Sequence, residues 1–247
     1  MMPLTLVVDC STEILSLALM DDTGALVDLR LAVSEPHSKT LLAAVDWALC
    51  QASLEASQLE QLAVCCGPGS FSGLRIGMAT MQGLSQTLAI PLYTFVEHDL
   101  IAWKFAFRTG VFAVLTDARR QQVYWASYVS DGQKVERLSA CRVDDPEALA
   151  ALLPEEDILL VGTGVDVYRS KLIEVLPEAE LLGAPQALPD LALISRMPLL
   201  SGSPLSIDDS DRGRVGMWEA TKQLEPLYIR PSDAELNRQK KLKEMAS

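Results

Sequence analysis

Gly67-Pro68-Gly69-Ser70-Phe71-Ser72-Gly73-Leu74-Arg75-Ile76-Gly77 follows a short apolar run, Leu62-Ala63-Val64-Cys65-Cys66, and opens a longer periodic one that ends at Leu88. Glycines between a strand and a helix let the backbone take positive φ and approach a neighbour closely. The helix that follows presents unpaired N–H groups and the positive end of its dipole. A phosphate cradle would use those features. The spacing Gly67, Gly69, Gly73 nevertheless misses the dinucleotide fingerprint by one residue, and no Gly-Lys-Ser/Thr follows. The stretch therefore marks a strand, a tight turn and a closely packed helix inside an alternating α/β chain.

The same alternation extends on both sides. Residues 4–8, 14–20 and 25–33 read as strands, the last two joined by the hairpin signal Asp21-Asp22-Thr23-Gly24. Leu41, Leu42, Val45, Leu49 and Ala52 recur at helical spacing after Ser38, the expected N-cap. Residues 62–66 form a strand, 74–88 a helix and 92–96 a strand. Three antiparallel strands followed by alternating helices and strands make the ribonuclease H-like pattern.

The order then begins again. Strands are expected at 111–116, 122–129 and 134–143, a helix at 145–153, a strand at 158–161 and a helix at 166–176. Asp117 ends the first strand of this half as Asp9 ends that of the other. The sequence thus predicts an α/β chain with two ribonuclease H-like domains in tandem, the actin/Hsp70/sugar-kinase architecture. The expected divisions are 1–106, 107–216, and a segment 217–247 that packs back on the first domain. Residues 191–200 read as a helix and 201–216 as a loop.

The chain has 247 residues, a net charge of −12 and a pI near 4.6. Unaided nucleic-acid binding calls for a basic stripe. The dense basic cluster here is Arg238, Lys240, Lys241 and Lys243, which reads as a solvated tail. The N-terminal residues lack a signal-peptide pattern, and no apolar run reaches membrane-spanning length, so a cytoplasmic protein without a membrane partner is expected. Cys10, Cys50, Cys65, Cys66 and Cys141 match no zinc spacing. Neither a nucleophile–base set nor a metal set can be assembled, so catalytic residues and metal ligands are both expected to be absent.

Two helical stripes stand out. Leu41, Val45 and Leu49 make one; Leu74, Gly77, Met78 and Met81 belong to the other. Both helices carry further apolar residues off the stripe: Leu42, Ala43, Ala44 and Trp47 on the first, Ile76, Ala79 and Leu84 on the second. That surplus suggests a partner helix pair, with the seven stripe residues expected at the interface.

Four segments carry a resemblance to the TsaB (YeaZ) family of tRNA threonylcarbamoyladenosine biosynthesis proteins. They are Val8 to Glu13; Pro36-His37-Ser38 with Leu41-Leu42; Gly67 to Gly77, with Ser72 where the family carries Thr; and Glu225 to Arg230 followed by Ala234-Glu235. Asp117 to Tyr124 also fits the family's second-domain opening. The resemblance implies a non-catalytic subunit that supports a TsaD-type catalytic partner in modifying the adenosine next to the anticodon. It also implies pairing with itself when alone, a TsaE-type ATPase as a further partner, and tRNA reached only through the complex. It implies no cofactor bound by the chain alone, with ATP or ADP at a subunit junction. The catalytic relative carries two metal-binding histidines four residues apart; here His98 falls at the first position and Ala102 at the second.

Two alternatives remain. A stand-alone kinase-like ATPase would bind phosphate at the turns after the first strands, Asp9 to Glu13 and Asp117 to Gln121. Asp9, Ser11, Gly67, Gly69 and Ser70 are the candidate nucleotide or phosphate contacts. Arg119 and Arg120 stand where such turns favour glycine. A metallopeptidase would need the ligand pair that Ala102 breaks.

Overall fold

The computed structural model describes residues 3–32, 35–153, 157–184, 188–197, 199–200, 215, 217–219, 224 and 226–229. Three strands, β1 (Thr5–Asp9), β2 (Ile14–Asp21) and β3 (Gly24–Ala32), run antiparallel in sequence. Next come α1 (His37–Gln51), β4 (Gln61–Gly67), α2 (Phe71–Leu88), β5 (Leu92–Val96) and α3 (Glu97–Lys104). β4 lies parallel to β1, and β5 parallel to β4. The spatial order β5-β4-β1-β2-β3 is that of a ribonuclease H-like sheet.

The second half repeats it. Its strands are β6 (Thr109–Asp117), β7 (Val123–Asp131), β8 (Val135–Arg137), β9 (Arg142–Asp144), β10 (Leu159–Val161) and β11 (Glu180–Leu182), with α4 (Thr163–Val175) between the last two. The order β11-β10-β6-β7-β8 matches the first sheet strand for strand, with β9 also on β7. The fold is therefore α/β with two ribonuclease H-like sheets in the actin-like arrangement. No described helix is long and apolar enough to cross a membrane.

Period-two burial assigns the faces of the second sheet. Phe112 and Val114 join the core cluster shared with the first half, while Ala113 and Leu115 pack with Trp125, Leu160 and Leu172 on the other side. β1 is buried along its whole length, as expected for a strand covered on both faces.

Several elements differ from expectation. α1 begins at His37 behind Pro36, with no side-chain cap, so Ser38 is not its N-cap. α2 begins earlier than its apolar run, because Ser70 Oγ accepts from the Gly73 N–H and caps it. The strand expected over 134–143 is two short strands. Residues 191–196 form a 3-10 helix that packs on β2, β3 and α3. β12 (Leu199–Leu200) and β13 (Met217–Glu219) then extend the first sheet, with β13 antiparallel to β5. The chain thus re-enters the first unit from residue 191 onward, earlier than the boundary at 216. The reason is that the edge of β5 needs a partner for its backbone groups. Of the loop expected at 201–216, all but Val215 lies outside the described residues, as do Glu225, Arg230, Ala234-Glu235 and the basic tail.

The glycine turn is held by backbone approach. A Cβ added at Gly73 would lie 2.0 Å from the Cys10 carbonyl oxygen, and one at Gly69 2.3 Å from that of Ser11. Both obstacles are main chain and cannot rotate away. Gly73→Ala is expected to cost more than about 2 kcal/mol through overpacking, measured by denaturant unfolding; a loss below about 0.5 kcal/mol would show that the two loops separate freely.

Candidate functional site

β1 and β6 end in aspartates that do the same local job. The Ser11 N–H donates to Asp9 Oδ1 at 2.8 Å, and the Arg119 N–H donates to Asp117 Oδ1 at 2.8 Å. The two turns face each other across one cleft of about 970 Å3, a size that suits a small molecule.

The glycine turn forms one wall. Ser11, Gly69 and Ser70 line the cleft, whereas Asp9 is buried and Gly67 packs against Leu227, and neither is among the lining. The backbone donors at the start of the loop are engaged within the chain: Ser70 N–H with the Ser11 carbonyl at 2.6 Å, Gly73 N–H with Ser70 Oγ at 3.2 Å. Of the five candidate contacts, three therefore reach the cleft, and Ser70 does so with its N–H already bonded.

The opposite wall is bulky. Arg119, Arg120 and Gln121 have φ of +60°, +54° and +62°, three successive non-glycine residues in the left-handed region. The turn is closed by Ala118 N–H to the Gln122 carbonyl and Gln122 N–H to the Arg119 carbonyl. It carries the Arg119 guanidinium across to Glu13, an ion pair between the two first-strand turns, with Asp117 3.8 Å away.

Glu97, the first residue of α3 directly after β5, adds a carboxylate that the sequence reading did not place in the cleft. It is buried and lines the cleft. Burial and the nearby Asp9 charge push its carboxyl well above the usual range, and burial likewise raises Asp9. The available signal was a carboxylate closing an apolar strand, as at Asp9 and Asp117.

His98 sits behind this wall. Its Nε2 meets Thr116 Oγ1 at 2.9 Å and its Nδ1 meets Cys141 Sγ at 3.3 Å. Burial and the Arg137 charge lower its pKa to about 3, so the imidazole is neutral at pH 7. Among the described residues no group of three or more His, Cys, Asp or Glu is arranged to hold a metal ion.

The seven stripe residues take a different place from the expected one. Leu41, Val45, Leu49, Leu74, Gly77, Met78 and Met81 are all buried within this chain. Helical periodicity reports the face turned to the chain's own sheet, and that face is already covered. The outward face of α1 carries Leu42, 53% exposed, and Trp47, 49% exposed, with Ala43 beside them.

A family model described as TsaD, tRNA N6-adenosine threonylcarbamoyltransferase, matches residues 31–181. The tRNA threonylcarbamoyladenosine biosynthesis protein TsaB of Escherichia coli is 28% identical over 91% of this chain and 94% of its own length. The chain belongs to the TsaD family, on its TsaB (YeaZ) branch. A solved TsaB-branch structure, YeaZ from Pseudomonas aeruginosa, superposes with a TM-score of 0.64 at 27% identity, covering 76% of this chain and 86% of that one. A second Pseudomonas aeruginosa structure, described as similar to peptidase YeaZ, gives 0.69 at 25% identity over 93% and 100%. Uncharacterised mycobacterial relatives are matched over 54% of this chain: one from Mycobacterium leprae, 34% identical, over 37% of its length, and one from Mycobacterium bovis, 38% identical, over 63%. The match thus spans less than two thirds of the length of either mycobacterial relative.

Proposed function

We propose that this chain is a non-catalytic subunit of the cytoplasmic machinery that makes threonylcarbamoyladenosine in tRNA. The match to Escherichia coli TsaB along nearly the whole of both chains carries the reading. Ala102, at the position where the catalytic relative would place its second histidine, supports a supporting role over a chemical one. A TsaD-type subunit is the main partner, a TsaE-type ATPase a further one, and a second copy of this chain the partner in isolation. tRNA is engaged through the complex, and ATP or ADP sits at a junction between subunits.

The surface offered to the catalytic subunit is the outward face of α1 with the adjoining exposed part of α2. Large apolar side chains left in water on one helix face favour a helical partner. The test combines purified subunits with tRNA, threonine, bicarbonate and ATP, omitting one component at a time. Omitting this chain should abolish modification, and the chain alone should give none. Trp47→Glu should weaken pull-down of the TsaD-type subunit by about tenfold or more, with the circular dichroism spectrum unchanged. Full modification without the chain, modification or ATP hydrolysis by the chain alone, or normal pull-down by both Trp47→Glu and Leu42→Glu would each overturn the proposal.

A further inference from the structure

The cleft floor holds polar atoms that the fold leaves unpaired. Ser11 and Glu97 are each 2% exposed, and Ser11 Oγ and Glu97 Oε2 make no hydrogen bond of ordinary geometry among the described residues, although the Ser11 hydroxyl stands close enough to Glu97 and Asp9 to ease their ionisation. No such bond is made by Nδ1 of His37 either, a buried residue whose Nε2–H donates to the Thr12 carbonyl at 2.8 Å. With Nε2 carrying the proton, Nδ1 of the neutral ring is an acceptor. All three residues line the same cleft. Buried polar atoms are almost always paired, and each exception asks for a reason.

The charge around them has one sign in excess. Glu13, Glu35, Glu97 and Asp117 line the cleft against Arg30 and Arg119. Arg119 is held by Glu13 and Asp117 at the mouth, and Arg30 lies 3.8 Å from Asp28. At the floor Asp9 stands close enough for its charge to oppose the ionisation of Glu97. A polyanionic ligand meets repulsion there; a compact cation is attracted.

We propose that this floor binds the primary ammonium group of a small organic molecule, with Glu97 as counter-ion and Ser11 Oγ and His37 Nδ1 as further acceptors. This goes beyond the role in tRNA modification and does not depend on it. An ammonium group is a compact charge with three N–H donors; it would favour the ionised form of Glu97 against the burial that raises its carboxyl, and would meet the three polar atoms that lack a hydrogen bond of ordinary geometry. A divalent metal would demand a larger oxygen set than the described residues assemble. Ile14 and Ile76, also in the lining, offer apolar surface for the carbon skeleton.

The experiment titrates isotope-labelled full-length chain with ethanolamine and follows amide shifts by NMR. Ethylene glycol serves as the uncharged counterpart and magnesium chloride as the metal probe. Saturable shifts at Ser11 and Glu97 with ethanolamine alone are expected. Glu97→Gln should weaken binding by about tenfold or more, and Ser11→Ala by a smaller factor. Glu97→Gln keeps the side-chain shape and removes a carboxyl that burial disfavours, so it should fold at least as well as wild type; intact dispersion of its spectrum verifies this. Non-saturable shifts, equal affinity in Glu97→Gln and wild type, or an equal response to ethylene glycol would overturn the proposal. So would a Glu97-dependent response to magnesium with none to ethanolamine, which identifies a metal site. None of these outcomes alters the reconstitution result, so failure here is distinguishable from failure of the proposed function.

Discussion

Arg137→Met is expected to destabilise the chain by about 3–5 kcal/mol, because it leaves the Asp99 carboxylate buried without its cation. Arg137, on β8, is 3% exposed, and Asp99, on α3, is fully buried. The guanidinium grips the carboxylate with two N–H groups, Nε to Oδ1 at 3.0 Å and Nη2 to Oδ2, and the Tyr128 hydroxyl donates to Oδ1 at 2.9 Å. The pair joins the helix that closes the first unit to two strands of the second. Removing both charges should be far milder, so Arg137→Met/Asp99→Leu is expected to recover most of the loss. Denaturant unfolding of the four proteins of that cycle measures the coupling. A cost for Arg137→Met below about 1 kcal/mol would mean that water reaches the carboxylate and that the two units are not held by this pair.

The second large effect is on acid stability. His98 is held neutral in the fold with a pKa lowered to about 3, against an ordinary value of 6.5. Above pH 6.5 neither folded nor unfolded chain protonates it, and its contribution to stability is fully present. As pH falls below 6.5 the unfolded chain takes up a proton that the folded one refuses. Stability is then lost at about 1.4 kcal/mol per pH unit, reaching about 4–5 kcal/mol near pH 3. Asp9 and Glu97 act in the opposite direction, since their folded carboxyls are raised and bind protons before the unfolded ones do. The His98 contribution is therefore read from a comparison. The stability advantage of wild type over His98→Gln should shrink at that rate between pH 6 and pH 4. A difference independent of pH would show that the ring is protonated inside the fold.

Much of this architecture was legible because burial and periodicity agree in it. β1, β2, β4 and β5 are apolar runs bounded by turn residues, and the structure places them within a residue or two of their expected ends. Asp9 and Asp117 exposed the repeat, since a carboxylate at the end of an apolar strand is an expensive choice that occurs twice in the same place. α3 was missed for a physical reason. Glu97, His98 and Asp99 break the apolar periodicity at its start, yet all three are buried, and His98 and Asp99 are held by tertiary partners, Thr116 and Arg137, that no local pattern reveals. β11, β12 and β13 span three residues or fewer, too short for alternation to register.

The stripe and the exposed face of α1 turn out to be different residues. The stripe through Leu41, Val45 and Leu49 is the stronger signal, and for that reason it is the one the chain buries against itself. Leu42 and Trp47, which register as an excess over the stripe, are the residues left outside. The cleft was half legible: its two turns follow from the strand ends, whereas the orphaned acceptors at Ser11, His37 and Glu97 depend on how three distant segments meet.

The return of the chain to β5 bears on how the molecule is made. A ribosome delivers β1 to β5 first, but the strand that pairs the outer side of β5 is β13, at residues 217–219. Between them the whole second sheet must emerge. During that interval β5 presents an open row of amide and carbonyl groups, the kind of edge that recruits stray strands. The nascent first unit therefore waits, structurally incomplete, until β13 has emerged. A chain stalled or clipped before β13 would carry that open edge permanently, a template for self-association that the paired strand conceals.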